Sequence, residues 1–291
     1  MSKVIVVTGA NGAQGSAITQ LFVQRGYQVR AVTRSGAGPI NGVSYAAADL
    51  SDADALARAA DGADAVVFTS PLDHRPGARE RMAEAVVTAA GRAGVRRLVL
   101  DTAVPVFDGY ESPVSAVPRR VREIILGGSI PAVVLQPTVY MDNLRADWAL
   151  PTIARDAVFA YPLPPETRAS WISHRTLGEY AVAAVESAAA AGHVFDIGGA
   201  TAITGLEIAE LLSAQAGRTV AYTPIPLDKF AAGLNQAFGA PAGDDIADLY
   251  RYAANNPAAL VRNPEGAEVL GVSPESFTDF VARHEWSSPG V

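Results

Sequence analysis

The stretch VVTGANGAQGSAITQLF, residues 6–22, decides how the rest of the chain is read. Gly9, Gly12 and Gly15 stand three apart within it. The run VIVV (4–7) leads into them, apolar and β-branched, the composition of a strand buried on both faces. Ile18, Leu21 and Phe22 follow at helical spacing. The glycines can be a plain strand-to-helix turn. They can also cradle a dinucleotide pyrophosphate on the helix N-terminus. Gly9 then allows the sharp turn, Gly12 lets the backbone approach the ligand, and Gly15 lets the helix pack on the strand. Residues Gly9, Asn11, Gly12, Ala13, Gln14 and Gly15 are the candidate contacts. A buried strand before the glycines and an amphipathic helix after them are the context that favours the cradle.

Working outward, strands are expected at 27–34, 43–50, 64–70, 97–102 and 132–137. Helices are expected after Gly15 and at 52–60, 78–93 and 118–126, the last opened by Pro118. Strands alternating with helices mean βαβ units and a mostly parallel, doubly wound Rossmann sheet with helices on both faces. Ligands lie across the carboxyl ends of such strands. From Pro137 the texture shifts to prolines and aromatics. A helix (174–188) and a strand (193–199) return to the sheet. The rest reads as mainly helical (204–215, 226–237, 244–254, 274–283), with a strand at 219–223. The expected organisation is a Rossmann domain over 1–136, with 172–200 returning to it. A smaller cap lobe is built from 137–171 and 201–291.

The second strand ends AVTRSG, with Arg34 where NAD sites usually carry an acid. A guanidinium can grip a 2′-phosphate in a bidentate way, which favours NADP(H); a solvated strand-end arginine is the alternative. Asp49 and Leu50, at the same rim, are candidates for the adenine, although Asp49 could equally cap the next helix. Thr69 and Ser70 end the fourth strand beside the expected cofactor path.

Composition narrows the rest. The 291 residues suffice for one large domain or two coupled lobes, and with 49% hydrophobic residues a sizeable core is expected. A net charge of -7 argues against a phosphate-tracking surface, so no nucleic-acid partner is expected. Arg96 and Arg97 read as the solvated lead-in to a strand. The absence of cysteine removes disulfides and thiolate chemistry and fits a reducing, cytoplasmic setting. The N-terminal apolar run is too short for a signal segment, and no stretch approaches the ~18–20 apolar residues of a membrane span.

The run 7–34, together with ADLSD, GVRRLVL, IPAVVLQPTVYMDNL and WISHRTLGEYAV in that order, resembles the atypical short-chain dehydrogenase/reductases, in particular the NmrA-like group. The resemblance covers residues 1–200 well. It implies a Rossmann domain, a nicotinamide cofactor that is usually NADP(H), and a small C-terminal lobe over the nicotinamide. It also implies one of two kinds of protein: reductases of quinones, enones or benzylic ethers, or regulators that bind the cofactor without turnover.

Short-chain reductases usually rely on Tyr-x-x-x-Lys, in which the tyrosine delivers a proton and the lysine lowers its pKa. None of the nine tyrosines here has a lysine four residues on, and Lys3 and Lys229 are the only lysines. Where related proteins keep a helical lysine, this chain has Pro118, followed by Arg119 and Arg120; an arginine is a poor proton donor. Thr102, after the fifth strand, and Tyr140, after the sixth, are the remaining hydroxyl candidates for the reacting end. Thr102 could equally bond nearby backbone, and Tyr140 could be a pocket wall.

The four histidines show no metal-ligand spacing, so no metal is expected. His74 reads as a surface loop residue and His174 as the structural start of a helix. Asp52/Asp54 and Asp244/Asp245 read as helix starts. Trp148, Phe159, Tyr161 and Trp171 could line a pocket for a flat substrate or build the small lobe's core. Three readings stay open: an NADP(H)-dependent reductase of a small apolar or aromatic acceptor, a cofactor-sensing regulator, or a biosynthetic enzyme. A monomer or homodimer fits each.

Overall fold

A computed structural model describes residues 3–286. Seven strands form one sheet: β1 (Val4–Thr8), β2 (Gln28–Thr33), β3 (Val43–Ala47), β4 (Ala65–Thr69), β5 (Arg97–Asp101), β6 (Ala132–Pro137) and β8 (Val194–Ile197). Their order is β3-β2-β1-β4-β5-β6-β8, and every pairing is parallel. All carboxyl ends therefore lie on one edge, and the order reverses between β1 and β4, which is where a doubly wound sheet opens a ligand crevice. The central strands β4, β5 and β6 are buried along their whole length. Their unbroken apolar runs are what burial on both faces demands.

Helices α1 (Ala13–Gln24) and α6 (His174–Glu186) cover one face. Helices α2 (Ala53–Ala60), α3 (Ala78–Ala93) and α4 (Pro113–Leu126) cover the other. Ile5, Val7, Ile18, Phe22, Val67 and Leu177 pack on the first side. Val6, Phe68, Met82, Val86, Leu98 and Ile125 pack on the second. The alternation along β1 shows the period of two that sends successive side chains to opposite faces.

A third core gathers residues from beyond β6, including Leu144, Phe159, Tyr161, Trp171, Ile208, Tyr250 and Phe280. It joins a 3-10 turn (Met141–Arg145), α5 (Leu150–Asp156), β7 (Val158–Tyr161), α7 (Gly205–Ala216), β9 (Ala221–Pro224), α8 (Leu227–Phe238), α9 (Ala242–Asn255) and α11 (Phe277–Ala282). α10 (Glu265–Leu270) packs beside β8. β7 and β9 pair in parallel as a separate two-stranded sheet. No helix among the described residues is long and apolar enough to cross a membrane.

Several boundaries differ from the sequence reading. α4 opens at Pro113, where a proline at the helix start follows the extended Ser112. Pro118 instead sits inside the helix and is buried; its ring lacks only the N–H that would have reached Val114. β3 stops at Ala47 rather than residue 50, because the Asp49 carboxylate takes the Ser51 amide into a turn. The last helix begins at Phe277, capped by Ser276, rather than at 274. Arg97 is the first residue of β5 and buried, donating to the Ser187 carbonyl at 2.8 Å, so it is no solvated lead-in. Phe159, Tyr161 and Trp171 are fully buried core, and of the four candidate aromatics Trp148 alone is exposed. The strand β7 was not expected, since VFAY lies in a proline-rich run that shows no clear period.

Candidate functional site

The glycine loop joins β1 to α1 as the spacing requires. Gly9 sits at φ +64°, where a side chain is strained, and its carbonyl accepts the Gly12 amide at 2.8 Å. A Cβ on Gly15 would stand 2.2 Å from the Gly9 oxygen, so the helix can approach the loop only because that carbon is missing. Gly12 is the N-cap of α1 and offers no side chain to its first amides. Four orphan N–H groups at a helix start, with the positive end of its dipole, make a ready anion site.

The loop after β2 folds against these glycines. The Ala37 carbonyl accepts from Asn11 Nδ2 at 2.9 Å and from Thr33 Oγ1 at 3.1 Å. Arg34, one residue past β2, is exposed, and none of its nitrogens makes a hydrogen bond or ion pair with a described residue. It acts at a distance on Asp49, whose carboxyl is held below its usual range chiefly by the Ser51 hydroxyl and amide, with smaller help from Arg75 and Arg34. Both Ser51 donors end on Asp49 Oδ1, which leaves Oδ2 available. The helix cap of α2 is Asp52, which accepts from the Asp54 and Ala55 amides. Leu50 is half-buried against the α2–α3 side of the sheet.

The strand ends on the far side of the switch point hold a cluster of buried polar groups. Thr69 and Asp101 are register partners at the ends of β4 and β5. Asp101 is wholly buried; Oδ1 accepts the Ala103 amide at 2.9 Å, while Oδ2 has no hydrogen-bond partner. Burial pushes this carboxyl up to about 7, against the pull of the Ala103 amide, the Thr69 hydroxyl and Arg79. Arg79, on the first turn of α3, is buried with it and donates to Ser70 Oγ at 2.9 Å and 3.1 Å. Desolvation lowers this guanidinium to about 10, so it remains a cation at neutral pH. Ala103 holds φ +63°, a left-handed conformation that costs a non-glycine residue about 1 kcal/mol or more. Strained backbone of this kind clusters at functional sites.

Tyr140 follows β6 and is buried, its ring 4.8 Å from that of His174. Its hydroxyl meets no hydrogen-bond partner of good geometry. Burial, then Asp101, push the phenol well above its usual range, and the nearby Gln14 side chain offsets part of this. The structure therefore brings Gln14 of the glycine helix, Asp101 and Tyr140 to one place. Thr8 Oγ1, Thr69 Oγ1, Asp101 Oδ2 and Tyr140 Oη are all buried without a partner at or just beyond the carboxyl ends of the strands. Buried polar atoms left bare cost about 1–3 kcal/mol each. They lie at the carboxyl ends of the strands, the edge at which a doubly wound sheet holds its ligand. The uncapped helix and uncommitted Arg34 fit the phosphates of such a ligand.

Thr102 does not join that set. It is fully buried, and its hydroxyl donates to the Val104 carbonyl at 2.7 Å, so its one proton is spent on backbone. Ser70 is likewise turned toward Arg79. Arg119 and Arg120 are paired with Glu111 and Glu80. His74 is not a free surface histidine: Nδ1 lies 2.6 Å from the Asp245 carboxylate, tying the loop after β4 to α9. Asp101 and Arg79 carried no role in the sequence reading. Their signals were an aspartate closing the apolar run RLVLD, and an arginine in phase with Met82, Ala83 and Val86 on the buried face of α3.

The NmrA-like family model matches residues 1–273. An NAD(P)H azoreductase of Xenophilus azovorans is 27% identical over 286 residues, covering 96% of this chain and 97% of that protein. Among solved structures, an NADPH-dependent quinone oxidoreductase of Escherichia coli, determined with NADPH, superposes with a TM-score of 0.76 at 20% identity, covering 96% of this chain and 98% of the other. NmrA, a negative transcriptional regulator determined with NADP, superposes with a TM-score of 0.74 at 14% identity, covering 97% and 95%. The two solved structures share the fold, and the family match spans the glycine loop, the strand ends around Asp101 and most of the third core. The chain belongs to the NmrA-like family.

Proposed function

We propose that this chain is an NADP(H)-dependent oxidoreductase that reduces a quinone, enone or similar small apolar or aromatic acceptor without a Tyr-x-x-x-Lys pair. The observation that carries the reading is the crevice edge itself. An uncapped helix start behind Gly9, Gly12 and Gly15 and the buried, partnerless polar atoms of Thr69, Asp101 and Tyr140 lie along the carboxyl edge of one sheet, on the two sides of its switch point. The azoreductase that aligns along nearly the whole chain supports the redox assignment.

The residues divide the work by position. Ala13 and Gln14, with the glycines, hold the pyrophosphate on the α1 amides. Arg34, free of other partners, takes the 2′-phosphate. Asp49 Oδ2 and Leu50 meet the adenine. Thr69 lies on the path toward β5, and Ser70 keeps Arg79 in place beneath it. Tyr140 lines the reacting end, and Thr102 serves by fixing the loop after β5. The segments 137–171 and 201–291, of which 287–291 lie outside the described residues, form the cap over the acceptor. A bound reduced nicotinamide supplies the hydride, and the chain's task is to position it against the acceptor and exclude water.

The test is consumption of NADPH, followed by absorbance, with a panel of quinones, conjugated enones and azo compounds. Turnover with at least one class is expected. Tight NADPH binding with no turnover across the panel would instead support a cofactor-sensing regulator, a reading favoured by the missing Tyr–Lys pair and the committed Thr102 hydroxyl.

A further inference from the structure

We propose that Asp101 is a redox-linked proton store: its carboxyl is protonated beside a neutral dihydronicotinamide and ionised beside a nicotinamide cation. This rests on the reading above that a nicotinamide dinucleotide lies along the carboxyl edge. The placement follows from the sheet. A dinucleotide with its adenosine half at Arg34, beyond β2, and its pyrophosphate at the β1–α1 loop must carry its other half past the switch point to β4 and β5. Asp101 is the last residue of β5, beside Gln14 and Tyr140.

Three features suit Asp101 to this role. It is wholly buried, so water does not screen a charge that appears near it. Its Oδ2 makes no hydrogen bond of good geometry, although the Thr69 hydroxyl lies close enough to act on it, so its proton is not fixed in place. And its carboxyl titrates within reach of neutral pH, so a modest change in the local field decides its charge.

The other ionisable groups around it leave that decision open. Arg79, from α3, is the buried cation nearest in kind, and its presence keeps ionised Asp101 affordable. Glu80 and Asp73 act on Arg79 but are engaged by Arg120 and Arg75. Asp142 and His174 face Tyr140 and each other, 3.6 Å apart, on the α6 side. Burial lowers the His174 imidazole, so it adds no fixed positive charge.

The balance then closes. A quinone that accepts a hydride gains two electrons and one hydrogen and becomes a hydroquinone anion, which needs one proton. As positive charge develops on the nicotinamide, the O–H bond of Asp101 breaks. That proton forms the new O–H bond of the hydroquinone anion, and Tyr140, which feels the charge of Asp101 but makes no hydrogen bond to it, flanks the route. Asp101 is left as a carboxylate opposite a cation, and water reprotonates it after the oxidised nucleotide leaves. The proton that Tyr–Lys reductases take from their tyrosine thus has a local source.

The experiment measures binding of NADP+ and of NADPH to the wild-type protein at pH 6, 7 and 8 by calorimetry, in two buffers of different ionisation enthalpy. Both nucleotides carry the 2′-phosphate, so its titration drops out of the ratio. The affinity for NADP+ relative to NADPH is expected to rise with pH, by up to about tenfold for each unit that Asp101 shifts between the two complexes. NADP+ binding near pH 7 is expected to release protons, and NADPH binding to release none. Asp101→Asn should bind both nucleotides with a pH-independent ratio, and Asp101→Glu should restore the pH dependence. A flat ratio in the wild-type protein, with both nucleotides bound, overturns the proposal and leaves the cofactor site standing. Binding of neither nucleotide at any pH would overturn the cofactor reading and this proposal together.

Discussion

Gly15→Ala tests the glycine loop where its geometry is tightest. The added carbon would stand 2.2 Å from the Gly9 oxygen, 2.7 Å from the Gly9 carbonyl carbon and 3.2 Å from Ala10 Cα. All three are backbone atoms, so no rotamer change relieves the clash. Reaching ordinary contact needs the start of α1 to move about 1 Å from the loop. Overpacking a buried site costs roughly 1–3 kcal/mol, and the better helix propensity of alanine returns up to about 1 kcal/mol. A net loss of about 1–2 kcal/mol should lower Tm by roughly 2–5 °C for a chain of this size. Nucleotide binding should suffer more, because the displaced amides are the ones proposed to hold the pyrophosphate; a misplacement of about 1 Å can cost up to about 100-fold. Thermal melting and a fluorescence titration with NADPH read the two effects. Gly233→Ala in α8 is the control: nothing lies within 4 Å of the new carbon, and the variant should melt at or slightly above the wild-type temperature. A Gly15→Ala protein with wild-type Tm and wild-type NADPH affinity would refute the close approach and its role.

Three further outcomes follow from the same contacts. Because burial raises Asp101 to about 7 from an ordinary 3.8, its ionisation opposes folding. Its full contribution is present below the unfolded value and is lost as pH rises through the folded one, so Asp101→Asn should gain stability on the wild type between pH 4 and about 7, then hold that gain; a constant difference in melting temperature across pH 4–8 would contradict this. His74→Leu removes the bond from the loop after β4 to Asp245 on α9, and should cost about 1 kcal/mol in chemical unfolding while quickening proteolysis within 71–77. Asp52→Ala strips the cap from α2 and should cost about 1 kcal/mol, whereas Asp49→Ala, which caps no helix, should cost less in the same urea titration.

The architecture was legible because its signals are local. VIVV before three glycines and a helical stripe after them fix β1, the loop and α1, and the same alternation repeats through β6. The limits of α3 and β6 read from sequence coincide with those observed, since apolar period and length agree there. What escaped depends on distant partners. VFAY at 158–161 becomes a strand only because Ala221–Pro224 pairs with it from some sixty residues away. The reading of α4 fixed on Pro118, when Pro113 offered the same first-turn chemistry five residues earlier. Arg79 and Asp101 each look ordinary in their own element; a helix-start arginine and a strand-end aspartate act on each other only because the fold buries both beside the ends of β4 and β5, where Arg79 reaches Ser70 and the Thr102 carbonyl. The hydroxyl of Thr102 was a fair candidate by position, and only the turn that presents the Val104 carbonyl withdraws it.

The central claim is that the crevice binds a phosphorylated nicotinamide dinucleotide through the glycine loop and Arg34. Its most direct test is the dissociation constant of NADPH and of NADH for the wild-type protein and for Arg34→Ala. A charge-assisted bond to the 2′-phosphate contributes about 1.5–3 kcal/mol, so the wild type should hold NADPH at least about tenfold more tightly than NADH. Arg34→Ala should bring the two constants together by weakening NADPH alone. Equal affinities in the wild type, or a preference for NADPH that survives the loss of Arg34, would contradict it.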